Sequence, residues 1–223
     1  RLSGGGTLGG NITLGTANLT VNQATSATTY SGVISGTGGL TKIGTAALSL
    51  GGVNTYTGAT TISAGTLQAI INNVIPNSSA LVMADVATAI FNLNNTNQTI
   101  GSLSGGGATG GNISLGAGTL TITQNAAGTY DGVISDARNI TKIGTDTLIL
   151  SRTNTFTGNT TINAGALSIG SDLQLGAAPA AATTGKLTFD GGTLRTTASF
   201  ALNANRGITL NSGGGTLLVD PTF

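Results

Sequence analysis

The chain has no cysteine, no histidine and no tryptophan, and its seven acidic residues include no glutamate. Without histidine or cysteine, the usual ligands of zinc, haem and iron-sulfur clusters are missing, and no Ser-His or Cys-His catalytic pair exists. Only 7% of the 223 residues are charged and the formal net charge is +1. The eight Lys and Arg are scattered, so the basic stripe that releases counterions from nucleic acid is absent. Ser, Thr, Asn and Gly break every apolar run well short of the roughly 18 residues that a membrane-spanning helix needs. The absence of cysteine leaves the redox compartment open, because exported proteins need not use disulfides. The opening from Arg1 shows no charged segment followed by an apolar one, which fits an export leader removed upstream.

What is present is repetition. Residues 32–65 and 132–165 align throughout at an offset of 100, from GVISGTGGLTKIGTAALSLGG to GVISDARNITKIGTDTLILSR and onward to ISAG and INAG. Upstream, Leu2–Gly6 matches Leu103–Gly107 and Gly9–Leu14 matches Gly110–Leu115 at an offset of 101, so the second copy lacks one residue between about 116 and 130. The segment 208–217 begins a third unit. The reading is one elongated domain over 1–223, with repeat units 1–101 and 102–207 and a partial unit at 208–223.

Within each unit, short runs alternate apolar and polar residues between Gly, Asn and Ser, as in Asn11–Leu14, Leu40–Ile43, Ala47–Leu50 and Leu120–Thr123; this is the strand period. Glycine, 37 of the residues, costs about 1 kcal/mol at each helix position. Ala80–Ile90 has a helix-permitting composition, but its flanks favour two strands. Leu48 and Leu50 recur about 19 residues later as Leu67 and Ala69, and Ile43 as Ile62. With few aromatics to separate two sheets, the expected fold is all-β, a right-handed parallel β-helix of about 20 residues per coil. About eleven coils at ~4.8 Å per strand give a rod on the order of 50 Å long. Gly176–Ala182 reads as a loop bulging from it.

The segment GGLTKIGTAALSLGGVNTYTGATTISAGTLQ at 38–68 resembles the autotransporter-associated β-strand repeat, or passenger-associated transport repeat, and NITKIGTDTLILSRTNTFTGNTTINAGALSI at 139–169 resembles it again. Thr-Lys-Ile-Gly-Thr, Asn-Thr-aromatic-Thr-Gly and Ala-Gly recur at fixed spacing. Segments 98–107 and 175–197 also resemble stretches common between such repeats. The resemblance implies a β-helical passenger of a surface-displayed, type V secreted bacterial protein, with the repeat assisting transport by folding progressively outside the cell. It implies a membrane contact only through a C-terminal barrel, whose ten-residue amphipathic strands are absent from this stretch.

The densest set of charges is Asp131, Asp136, Arg138, Lys142, Asp146 and Arg152. The first unit has Ser31, Gly36, Gly38, Lys42, Ala46 and Gly52 at those places, so the fold does not require the acidic residues, and a solvated decoration is the simpler reading. The sharper readings are a glycan or partner contact, or a glycosidase pair, which needs two carboxyl groups about 5 to 9 Å apart. Lys42 and Lys142 are expected to point outward, with Leu40/Ile140 and Ile43/Ile143 inward near a bend. Tyr56 and Phe156 are read as packing over a loop or, less simply, as stacking on a sugar. Neither a calcium nonapeptide nor a phosphate loop is present, and no cofactor or metal is expected. Outward threonines such as Thr121 and Thr188 fit ice binding, but β-branching suits any exposed strand.

Three functions follow from this reading. The first is a non-enzymatic stalk or adhesive segment facing a host or neighbouring-cell receptor or glycan. The second is a self-assembling extracellular or biofilm-matrix fibre, and the third is a β-helical polysaccharide-degrading enzyme. Nucleic acid is not among the expected partners.

Overall fold

The computed structural model describes residues 2–6 and 9–221; Arg1, Thr7, Leu8, Thr222 and Phe223, at the edges of the first and third repeat units, lie outside them. The short alternating runs form strands of two to seven residues. Each pairs in parallel with a strand about one coil further along the chain. Leu40 lies beside Thr60, which lies beside Leu81. The product is a three-faced β-solenoid of about ten coils, the parallel β-helix expected from the sequence.

The longest face is a ten-stranded sheet from Leu19–Asn22 to Thr216–Val219. The second holds six strands, from Thr28–Tyr30 to Ile134–Ser135. The third begins as the pair Ile12–Thr13 and Ile34–Ser35, loses its strands, and resumes as a six-stranded sheet from Gln98–Ile100 to Arg206–Leu210. Nine gaps of ~4.8 Å on the long sheet give an axial rise of about 43 Å. There are ten coils rather than eleven because coil length is uneven. Leu148 pairs with Leu167 after 19 residues, whereas Gly105 pairs with Tyr130 after 25 and Leu167 with Leu194 after 27.

The longest of these coils contains the bulging loop. It follows a short 3₁₀ turn at Asp172–Leu175 and ends where Thr183–Phe189 resumes the third sheet. The helix-permitting stretch folds as two strands, Leu81–Met83 and Ile90–Asn92.

Inward positions stack into apolar columns. Leu48, Leu67, Phe91, Ile113 and Ile134 occupy successive strands of the second sheet, and each is fully buried. Each contributes on the order of 1.5–3 kcal/mol by leaving water. Leu48 and Leu50 do stack on Leu67 and Ala69. Ile43 does not stack on Ile62: the partner of Ile62 is Lys42, because strict period-2 alternation from Leu40 turns Lys42 inward and Ile43 outward.

The repeat and the coil do not keep step. From the Leu40–Ile43 strand, four coils along the long sheet lead to Gly128–Tyr130, and two further faces lead to Ile140–Ile143. One hundred residues therefore make four and two-thirds coils. The strand Leu40–Ile43 lies on the long sheet and its copy Ile140–Ile143 on the third; Thr66–Ala69 lies on the second and its copy Ala166–Ile169 on the long sheet. The whole second unit is turned by one face about the axis. The one-residue deletion falls in a corner, between the equivalent buried Gln23 and Gln124 and the strands that follow them.

Candidate functional site

The residues that recur in both motifs are fasteners between coils. Lys42 is fully buried, stacked between Val21 and Ile62, and Lys142 is buried between Ile122 and Ile162. An ammonium has three N–H donors, and here three backbone carbonyls meet them. Lys42 Nζ donates to Ile43 O (3.0 Å), Gly44 O (2.7 Å) and Ala64 O (3.0 Å). Lys142 Nζ donates to Ile143 O (2.8 Å), Gly144 O (2.9 Å) and Ala164 O (3.1 Å). Two acceptors belong to the lysine's own corner and the third to the next coil.

Gly65 completes this cage. Its φ is +69° and a β-carbon there would sit 2.7 Å from Lys42 Nζ, so only glycine fits both backbone and ammonium. Burial pulls both lysines down to about 8, against an ordinary 10.5; beside Lys142, the charge of Asp146 pulls the other way. The outward orientation expected for these lysines is thus reversed, because the corner carbonyls turn inward and satisfy the charge.

Asn54 and Asn154 each tie three coils together. Asn54 Oδ1 accepts from Ile34 N (2.8 Å) while its Nδ2 donates to Val74 O (2.7 Å). Asn154 does the same with Ile134 N and Gln174 O at the same distances. Two residues on, Tyr56 and Phe156 are fully buried. Tyr56 Oη lies 2.5 Å from Thr60 Oγ1, which lies 2.9 Å from Ser79 Oγ. Phenylalanine cannot continue that network, and Thr160 Oγ1 is buried without a hydrogen-bond partner among the described residues. Lys142, Tyr56 and Phe156 therefore cannot contact a partner as the sequence allowed: all three side chains point into the interior.

The other five charges do not converge. Asp131 and Arg152 occupy the corner after the long sheet, Asp136 and Arg138 the corner between the second and third sheets, and Asp146 the corner before the long sheet. Asp131 and Asp136 stand at opposite ends of Ile134–Ser135. No two of these carboxylates face one bond in the manner a glycosidase requires.

Asp131 Oδ1 accepts from Ser151 Oγ at 2.7 Å, and a shallow hollow of about 440 Å³ opens between Asp131, Val133, Ser151, Arg152 and Thr153. Asp136 adopts the left-handed conformation, φ 83°, like its counterpart Gly36 at 113°. Its Oδ2 accepts from Ser114 Oγ (2.7 Å) and Gly116 N (2.9 Å) of the preceding coil. Those bonds, the Gly116 N–H first, hold its carboxyl below the usual range.

Among the charged residues that the sequence does not single out, Asp85 and Arg206 link neighbouring coils. Asp85 sits on the same corner row as Asp131. Bonds from Thr109 and Gly110, with a smaller pull from Arg152, lower its carboxyl. Arg206 is buried, pairs with Asp172 at 2.9 Å and donates to Leu175 O and Gly176 O, pinning the inserted loop. No sequence pattern marks either one. Among the described residues, no cluster of three or more potential metal ligands occurs, and no helix is long and apolar enough to cross a membrane.

The family model for the passenger-associated transport repeat matches residues 40–69 and 140–169, the two segments that contain the lysine cages and the asparagine ties. The chain is 39% identical over 210 residues, 90% of its length, to the adhesin BmaC autotransporter of Brucella suis biovar 1 (strain 1330); it spans 6% of that protein. No solved structure matches it significantly.

Proposed function

Starting from a chain of the passenger-associated transport repeat class, we propose that it is a non-enzymatic, adhesive stretch of an autotransporter passenger displayed outside the cell. The observation that carries this reading is the 39% identity to a named adhesin across 90% of the chain. The architecture is consistent with it. The motif's own polar residues are spent inside the solenoid, which leaves the corners to carry side chains that the fold does not need. Asp131, Arg138 and Arg152 are such residues, and together with Asp136 and, on a third corner, Asp146 they are proposed as contacts for a host or neighbouring-cell surface. Display would run through a translocating barrel elsewhere in the protein.

Beads coated with the chain are expected to adhere to cultured animal cells or to sibling bacteria, and D131N/R152A beads to adhere less. Beads that bind neither surface would remove the adhesive reading. Sedimentation velocity over a hundredfold concentration range separates it from fibre formation: a constant, elongated species supports adhesion by single chains, and growth with concentration supports self-assembly. Turnover of a glycan panel would restore the enzymatic alternative.

A further inference from the structure

The third face has a gap, and the gap is lined by polar groups that the fold leaves unused. Between Ile34–Ser35 and Gln98–Ile100 this face carries no strand for two coils. The chain turns instead through Asn73 (φ 54°) and a Pro76–Ser79 turn closed by Ser79 N to Pro76 O at 2.9 Å. The edge strand is capped by side chains: Asn97 N donates to Asn72 Oδ1 and Thr99 N to Asn73 Oδ1, both at 2.9 Å.

Beside this cap lies a hollow of about 400 Å³ over Val53, Ile75 and Pro76. A second of about 280 Å³ runs to Ser102, Thr123 and Asn125, and the two share Asn77 and Ser78. Together they reach the size range of small-molecule sites. Several outward asparagines elsewhere bond across coils, as Asn112 does with Val133 N and Asn139 with Asn159 N, whereas Asn22 and Asn211 stand singly without such a bond among the described residues; the groove gathers several unbonded side chains in one place. In the groove, the side chains of Asn77, Ser78, Ser102, Thr123 and Asn125 make no hydrogen bond among the described residues. Asn77, Ser78 and Asn125 are exposed. No charged side chain lines either hollow.

We infer that this groove binds an uncharged saccharide chain. An amide and hydroxyl rim with both donors and acceptors matches sugar hydroxyls, and the exposed side chain of Val53, beside the buried Ile75 and Pro76, offers an apolar contact for the C–H face of a pyranose. A sialylated, sulfated or phosphorylated ligand would find no cation there to offset its desolvation. The groove lies away from the corners of Asp131, Arg152, Asp136 and Arg138 and on the corner row of Asp146, whose N–H bonds Gln124 O beside Asn125 one coil back; the inference rests on the adhesive reading by naming a ligand class for it.

The test titrates the chain with a β-linked glucose tetrasaccharide, an N-acetylglucosamine tetrasaccharide and a sialylated tetrasaccharide, read by saturation-transfer NMR and calorimetry. At least one neutral oligosaccharide is expected to bind, with a tenfold or greater loss of affinity in N77A/N125A, whose exposed side chains leave circular dichroism and the unfolding midpoint unchanged. The inference is overturned if neither neutral sugar binds at millimolar concentration, if the double variant binds as well as the parent, or if the sialylated sugar binds best. The bead assay separates the two readings. Coated beads that adhere although no neutral sugar binds leave adhesion standing and remove the groove. Sugar binding lost in N77A/N125A, with beads that never adhere, keeps the groove and removes surface adhesion.

Discussion

Replacing Lys42 by methionine keeps the unbranched apolar stem of the side chain, one atom shorter, and removes its three donors. Ile43 O also accepts from Gln23 N at 3.0 Å and keeps a partner. Gly44 O and Ala64 O have no other donor among the described residues. Two orphaned carbonyls cost about 1–3 kcal/mol each, while relief of the buried ammonium's desolvation returns part of that. The net loss expected is about 2 kcal/mol, or roughly a 30-fold shift in the local opening equilibrium. Lys42→Ala also deletes three methylenes, at about 0.8 kcal/mol each, and should cost about 4 kcal/mol.

Guanidinium unfolding at pH 7 gives the global effect. Because solenoids can open coil by coil, hydrogen exchange gives the local one. The amides of Ser63 and Ala64, which bond Lys42 O, should exchange faster, and those beyond Leu103 should not. A methionine variant as stable as the parent, with unchanged exchange at Ser63, would mean that the ammonium is a net liability and that the cage does not fasten the coils.

Other substitutions probe the remaining fasteners. Phe156→Tyr places a hydroxyl where Tyr56 has one and should stabilise the chain by about 1 kcal/mol by pairing Thr160 Oγ1; Thr160→Val should do nearly as well by deleting the orphan, and an unfolding midpoint lowered by both would refute the orphan argument. Asp136→Ala keeps the left-handed backbone without the staple and should cost about 1–2 kcal/mol, whereas Asp136→Gly should stay close to the parent in the same denaturant titration. Both lysines are pulled down to about 8 from 10.5, so between those values the unfolded chain binds more protons than the native one and stability should rise with pH. Burial raises the three tyrosines above 10, which lowers stability as pH nears 10 in any variant, so the parent's midpoint is expected to rise from pH 8 to 10 relative to that of a K42M/K142M variant; a parent that loses ground to the variant would show that losing the third cage donor outweighs relief of desolvation.

The stacking of coils was legible because apolar residues carry it: Leu48, Leu50, Leu67 and Ala69 show the register in their spacing. The orientation of Lys42 was not, because Leu-Thr-Lys-Ile offers two apolar residues that compete for the interior, and the groups that settle the matter are backbone carbonyls with no side-chain identity. The one trace is Ala-Gly placed 22 residues after the lysine in both copies. The run of charges from Asp131 to Arg152 looks like a cluster on the page. In a solenoid, though, a stretch of that length wraps all three faces, while true neighbours such as Asp131 and Ser151 lie 20 residues apart. The groove escaped notice because Asn77 and Ser78 resemble every other Asn and Ser in the chain until folding gathers them with Ser102, Thr123 and Asn125 along one groove.

The mismatch of one hundred residues to four and two-thirds coils has an evolutionary side. Duplicating such a unit does not lengthen a flat ribbon of identical sites; it moves each side chain by a third of a revolution, like treads on a spiral stair. Three units in tandem would complete fourteen coils and point every inherited corner residue in all three directions. A filament assembled this way has no preferred side, and whatever its corners carry is repeated around the circumference as well as along the length.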